Sequence, residues 1–107
     1  MSWKLVGAEY IWRDGEVIRW EDATVHLLST AVQFGTSMFE GIKCYDTPKG
    51  PCVFRLDAHV ERLLHSSKIY RMEPVYTRQE IIDACLVTVA RNNLKDCYIR
   101  PMVLRGY

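Results

Sequence analysis

Two groups of side chains in this sequence are placed to do chemistry. His59 and Arg62 stand three residues apart, a spacing that puts both on one face of a helix. An arginine near a helix start can hold a phosphate through a bidentate pair, whereas the plainer reading is a solvated cation paired with Glu61 or Asp57. The second group is the stretch Phe34–Tyr45, in which Gly35 and Gly41 bracket Thr36, Ser37, Met38, Phe39 and Glu40. Apolar surface with a few placed polar groups suits the wall of a small-molecule pocket, and glycines also mark ordinary turns between a helix and a strand.

Other chemistries find less support. No three of His26, His59, His65 and the four cysteines share a metal-ligand spacing. Neither a Walker A loop nor a G-x-G-x-x-G run is present, and no nucleophile elbow appears. The five lysines, Lys4, Lys43, Lys49, Lys68 and Lys95, all lie in polar or amphipathic surroundings. None is desolvated as a Schiff-base lysine requires.

The elements that must carry these residues follow from turn and periodicity signals. Asp14-Gly15 between Tyr10–Arg13 and Glu16–Trp20 predicts a hairpin, because both central residues of its turn need positive φ. Trp3, Tyr10, Trp12 and Trp20 read as packing surface. Thr24–Leu28 is expected to form a short strand, and Ser29 to cap a short helix that Gly35 stops. Ile42–Tyr45 and Cys52–Arg55 read as antiparallel strands around the turn-rich segment 46–51, with Cys44 and Cys52 able to face each other as reduced thiols. Asp57 is expected to cap a helix from Ala58 to about Tyr70 that buries Val60, Leu63, Leu64 and Ser67. Thr77-Arg78-Gln79-Glu80 matches a capping box, and the helix after it should bury Ile81, Ile82, Cys85, Leu86 and Val89 until Asn92-Asn93 ends it. Cys97–Arg105 reads as one strand with Tyr98, Arg100, Met102 and Leu104 on one face. An arginine in that apolar row should have an anionic partner, and Pro101 puts the strand at an edge or bulge. The class is α+β, a mostly antiparallel sheet with two main helices packed on one side.

With 107 residues, 49% hydrophobic and 25% charged, the chain has the size and balance of one globular domain. A net charge of +1 argues against nucleic-acid or membrane-surface binding by bulk electrostatics. No apolar run approaches the ~20 residues of a spanning helix, and no signal-peptide pattern opens the chain, so a cytoplasmic protein is expected. The chain stops at Arg105-Gly106-Tyr107 directly after a strand, which reads as a truncation.

Over essentially its whole length the sequence resembles the N-terminal small domain of branched-chain amino acid aminotransferases, in the fold-type IV family that uses pyridoxal 5′-phosphate (PLP). The resemblance is carried by Tyr10-Ile11-Trp12…Asp14-Gly15, Trp20-Glu21-Asp22-Ala23, Gly35-Thr36-Ser37…Phe39-Glu40-Gly41-Ile42, Lys49-Gly50-Pro51, Phe54-Arg55-Leu56, His59…Arg62-Leu63, Lys68-Ile69-Tyr70-Arg71 and Tyr98-Ile99-Arg100-Pro101. It implies that residues 1–107 are a substrate-side domain, with the PLP-bonding lysine in a C-terminal domain outside them. Arg62 then matches the arginine that binds the cofactor phosphate, and Phe39 and Gly41 match residues lining the substrate side-chain pocket. Tyr98 and Arg100 match strand residues near the substrate, the arginine being associated with carboxylate recognition, and Phe34 an aromatic that reaches into the neighbouring subunit's pocket. No residue of this chain matches a catalytic one.

The implied reaction transfers the amino group between leucine, isoleucine or valine and 2-oxoglutarate, in a homodimer or higher homo-oligomer, and these 107 residues alone should be inactive. Two departures bear on the pocket: Gln33-Phe34 stands where the family commonly has His-Tyr, and Met38 replaces a commoner valine. Thr36-Ser37 argues against the related D-amino acid transaminases and aminodeoxychorismate lyases, which usually carry an acidic-glycine pair there. A stand-alone, non-catalytic module that self-associates through exposed pocket aromatics is the other reading.

Overall fold

Asp14-Gly15 closes the first hairpin as the dipeptide predicts. In the computed structural model, which describes residues 7–106, strands β1 (Tyr10–Arg13) and β2 (Glu16–Arg19) pair antiparallel with Arg13 opposite Glu16. Both turn residues have positive φ, 49° at Asp14 and 92° at Gly15. Trp3, Lys4 and Tyr107 lie outside the described residues.

A 3-10 turn, Trp20–Asp22, follows β2. Residues 24–28 form no strand; with Leu27 and Leu28 exposed, this apolar run has no ladder to join. Helix α1 (Thr30–Phe34) starts after Ser29 and ends at Gly35, whose φ of 68° is the left-handed stop expected of glycine.

Strands β3 (Ser37–Phe39), β4 (Ile42–Thr47) and β5 (Gly50–Val53) come next, then helices α2 (Leu56–Ile69) and α3 (Arg78–Arg91), then β6 (Cys97–Ile99) and β7 (Met102–Leu104). Helix α2 begins at Leu56, with Arg55 at its N-cap, so Asp57 sits in its first turn instead of capping it. There it meets Arg78 of α3 at 3.8 Å. The capping box of α3 is present: Glu80 N–H donates to Thr77 Oγ1 and Thr77 N–H donates to Glu80 Oε1. Ala84 takes the buried place expected of Leu86, which is exposed. At the end of α3 the Asn92 carboxamide accepts from the Glu9 and Tyr10 amides and donates to the Tyr10 carbonyl, tying β1 to the helix.

Among the described residues the antiparallel pairing is divided among three small sheets, β1-β2, β3-β7 and β5-β4-β6. The long C-terminal strand expected over Cys97–Arg105 is therefore two strands. Arg100-Pro101 breaks it, since proline lacks the N–H a continuous ladder needs, and the halves join different sheets. Cys44 pairs with Cys97 on one side and Val53 on the other, so Cys52 lies opposite Tyr45 and not Cys44; all four cysteines are free.

The core joins Ile42 of β4, Leu56 and Val60 of α2, and Ile81, Ile82 and Cys85 of α3. Val53 and Ile99 pack against it from the flanking strands, so both long helices close over the β5-β4-β6 sheet. Ile42 and Val60 are wholly buried, each contributing roughly 1.5–3 kcal/mol by leaving water. Burial in this apolar core pushes the Cys85 thiol up to about 11, which makes it inert packing.

Candidate functional site

Two chain breaks face each other and create the site. The first is Glu40-Gly41, between β3 and β4; the second is Arg100-Pro101, between β6 and β7. Because β3 pairs with β7 and β4 with β6, both segments change sheet at the same place. The Glu40 amide donates to the Pro101 carbonyl at 3.1 Å, joining the two breaks.

Successive side chains diverge at this crossing. Phe39 faces the β6–β7 segment, where the Arg100 guanidinium lies 4.2 Å from the centre of its ring. Arg100 also donates to the Tyr98 hydroxyl at 3.4 Å and lies 5.5 Å from that ring's centre. Gly41 sits against the same tyrosine: a Cβ there would come within 2.5 Å of Tyr98 Oη. A side chain at this position, whose backbone is otherwise ordinary, would therefore displace the end of the Tyr98 side chain.

Glu40 points the other way, toward α2, and is only 6% exposed. Its carboxylate accepts from Arg62 Nε–H at 2.9 and 3.0 Å and from Arg62 Nη2–H at 2.7 Å. His59 Nδ1 lies 2.8 Å from Oε1. The helical spacing predicted for His59 and Arg62 therefore delivers both to one carboxylate. The Arg62 hydrogen bonds hold the Glu40 carboxyl below its usual range, outweighing the opposing effect of burial, with His59 adding to the lowering. Glu40 in turn raises the Arg62 pKa. Ser67 Oγ donates to the Leu63 carbonyl at 2.8 Å and lies 3.3 Å from Met38 Sδ, a further tie between β3 and α2.

Three expectations change. Arg62 pairs with Glu40, not with Glu61 or Asp57, because side chains from a second element fill the space over the helix. Tyr98, Arg100, Met102 and Leu104 do share a face, but all four are exposed. Arg100 makes no ion pair among the described residues: in an exposed setting the rings of Phe39 and Tyr98 suffice as its partners. Phe34 stands apart from this cluster, at the end of α1 and 80% exposed.

Glu40, expected only as a polar group of the Phe34–Tyr45 wall, is the residue whose pairing with α2 sequence reasoning missed. Its signal was alternation: in an extended segment it must face opposite Phe39 and Gly41. A lone carboxylate on that face answers the cationic pair on α2.

Arg62 is 68% exposed, and Glu40 occupies only its Nε–Nη2 edge, so the Nη1 edge fits a phosphate. Lys43 is paired with Asp96, whose hydrogen bond raises its pKa, opposite to what a nucleophilic lysine needs. No group of His, Cys, Asp and Glu among the described residues could hold a metal ion, and no helix of these residues is long and apolar enough to cross a membrane.

Residues 37–107 match the family model of amino-transferase class IV. The sequence is 52% identical over 99 residues to the branched-chain-amino-acid aminotransferase of Salmonella typhimurium, covering 92% of this chain and 32% of that protein. The fold superposes on the crystal structure of the Escherichia coli branched-chain amino acid aminotransferase with a TM-score of 0.91 at 50% identity, over 94% of this chain and 33% of that one. A second branched-chain amino acid aminotransferase, from T.th. and complexed with N-(5′-phosphopyridoxyl)-L-glutamate, gives a TM-score of 0.92 at 42% identity, over 95% and 34%. The chain spans about a third of the length of these relatives.

Proposed function

Because this chain belongs to the class IV aminotransferases, we propose that it forms the substrate side of a PLP-dependent transaminase exchanging the amino group between leucine, isoleucine or valine and 2-oxoglutarate. The observation that carries the reading is the divergence at the crossing of the two breaks, which turns an anchored arginine one way and an aromatic-arginine cluster the other. It is supported by the shared name of its relatives and by the phosphopyridoxyl-glutamate species bound in the T.th. protein.

Each residue's work follows from its surroundings. Arg62 holds the cofactor phosphate through the edge that Glu40 leaves open. Phe39 and the bare backbone of Gly41 form an apolar wall for the branched side chain, where each methylene is worth only about 1–3 kcal/mol of selectivity. Arg100 receives the substrate carboxylate: among the described residues no carboxylate pairs with it, and Tyr98 sets its direction. Bound PLP supplies the electron sink for amino-group transfer. As the family resemblance implies, the lysine that bonds it is contributed by a further domain; Lys43 of this chain is held by Asp96. Phe34, Leu27 and Leu28 are exposed apolar residues that a second copy of the protein would cover in a homo-oligomer.

The test is PLP affinity in the natural polypeptide, measured by equilibrium dialysis. Losing one charge-assisted hydrogen bond costs about 1.5–3 kcal/mol, so Arg62→Ala should weaken PLP roughly 10- to 100-fold. Arg62→Lys should lose less, because it keeps the charge without the fork. Equal affinity in all three proteins would overturn the phosphate assignment.

A further inference from the structure

We infer that Glu40 is a positioning residue for the cofactor phosphate, acting wholly through Arg62; the inference rests on the phosphate assignment of Arg62. The Glu40 carboxylate makes its contacts with Arg62 and His59. It is a carboxylate with 6% exposure that takes the Nε–H and Nη2–H of a guanidinium whose side chain is 68% exposed. A long, solvated arginine samples many rotamers and gives up much of that freedom when it binds. Two parallel hydrogen bonds to a fixed carboxylate settle that rotamer before any ligand arrives and leave the Nη1 edge free of Glu40.

The carboxylate is itself fixed from two further directions. His59 Nδ1 meets Oε1 at 2.8 Å, and the Glu40 amide donates to the Pro101 carbonyl. The arginine's direction is thus referred to the crossing of the two sheets, not to α2 alone. The same residue therefore fixes where the phosphate site lies relative to Phe39 and Gly41, its neighbours in the chain. A purely structural salt bridge would need no open guanidinium edge, and an isolated phosphate arginine would need no buried partner. Both features occur here together.

The experiment uses the natural holoprotein and its Arg62→Ala, Glu40→Gln, Glu40→Asp and Glu40→Gln/Arg62→Ala variants. The readouts are the PLP dissociation constant and the 31P NMR shift of bound PLP, with thermal melting of the apoprotein as a fold control. Glu40→Gln should weaken PLP about tenfold, the loss of one well-oriented charge-assisted contact, and shift the phosphate resonance. Glu40→Asp keeps the charge but is one methylene shorter, so it should fall between wild type and Glu40→Gln and serves if the glutamine variant folds poorly. On the Arg62→Ala background, Glu40→Gln should cost no further PLP affinity, since the residue acts only through the arginine. Equal losses on both backgrounds, or an unmoved phosphate resonance in both Glu40 variants, would overturn the inference while leaving Arg62 in its role. PLP affinity unchanged by Arg62→Ala would bring down the phosphate assignment itself.

Discussion

The guanidinium of Arg62 meets a buried carboxylate through three contacts of 2.7–3.0 Å, whereas that of Arg100 rests 4.2 Å from the centre of the exposed Phe39 ring and reaches one hydroxyl at 3.4 Å. These two arginines lie on opposite sides of one short crossing, Phe39-Glu40-Gly41. Directional, charge-assisted hydrogen bonds from a fixed partner specify a single geometry. A cation over an aromatic face is held weakly at an exposed site and tolerates sliding. The first arrangement suits an anion held in one fixed geometry, the second an anion that exchanges readily.

The contrast should be largest in stability. Glu40→Ala removes the carboxylate that links β3 to α2 and should cost about 2–3 kcal/mol, the range for breaking a charged hydrogen-bond network. Arg100→Ala should cost under about 1 kcal/mol, since an exposed cation–π contact is worth roughly 0.5–1 kcal/mol. Denaturant unfolding of the natural polypeptide measures both, and similar losses would erase the distinction.

A smaller effect separates the two arginines by pH. The folded-state pKa of Glu40 is depressed, first by the Arg62 hydrogen bonds, from its usual 4.5. Its stabilisation is therefore complete above that value and is lost as the pH falls through the depressed one. Glu40→Gln should flatten the acid side of the stability profile below about pH 5, and Arg100→Ala should leave its slope alone. An acid limb as steep in Glu40→Gln as in wild type would assign that pH dependence to other carboxylates.

The smallest effect concerns Gly41. A methyl group there presses on the far end of the Tyr98 side chain, which can rotate away, so Gly41→Ala should change stability by less than about 1 kcal/mol. It should nonetheless move the Tyr98 hydroxyl from Arg100 and alter the near-ultraviolet circular dichroism. A spectrum identical to wild type would mean that the tyrosine has room to spare.

Local chemistry made much of the fold legible. Asp14-Gly15, the Thr77–Glu80 capping box and Gly35 each act within four residues of chain, and each does in the structure what its residue type predicts. The expected strand over 24–28 and the Asp57 cap fail for a common reason: both depend on neighbours distant in sequence, a ladder partner in one case and the entry angle of α2 in the other. Cys44 illustrates the point, since its cross-strand cysteine proves to be Cys97, far along the chain, and not the nearby Cys52.

By itself the sequence determined the helix that places His59 and Arg62 on one face, the glycine and proline that break the strands, and, through its matched blocks, the family. Tertiary structure alone decided which carboxylate answers those cations and which face of Cys97–Arg105 meets solvent. The reason is physical. Periodicity fixes the direction of a side chain relative to its own element, whereas its partner depends on how the elements pack, and here two broken strands changing sheets together bring Glu40 to Arg62 and Phe39 to Arg100.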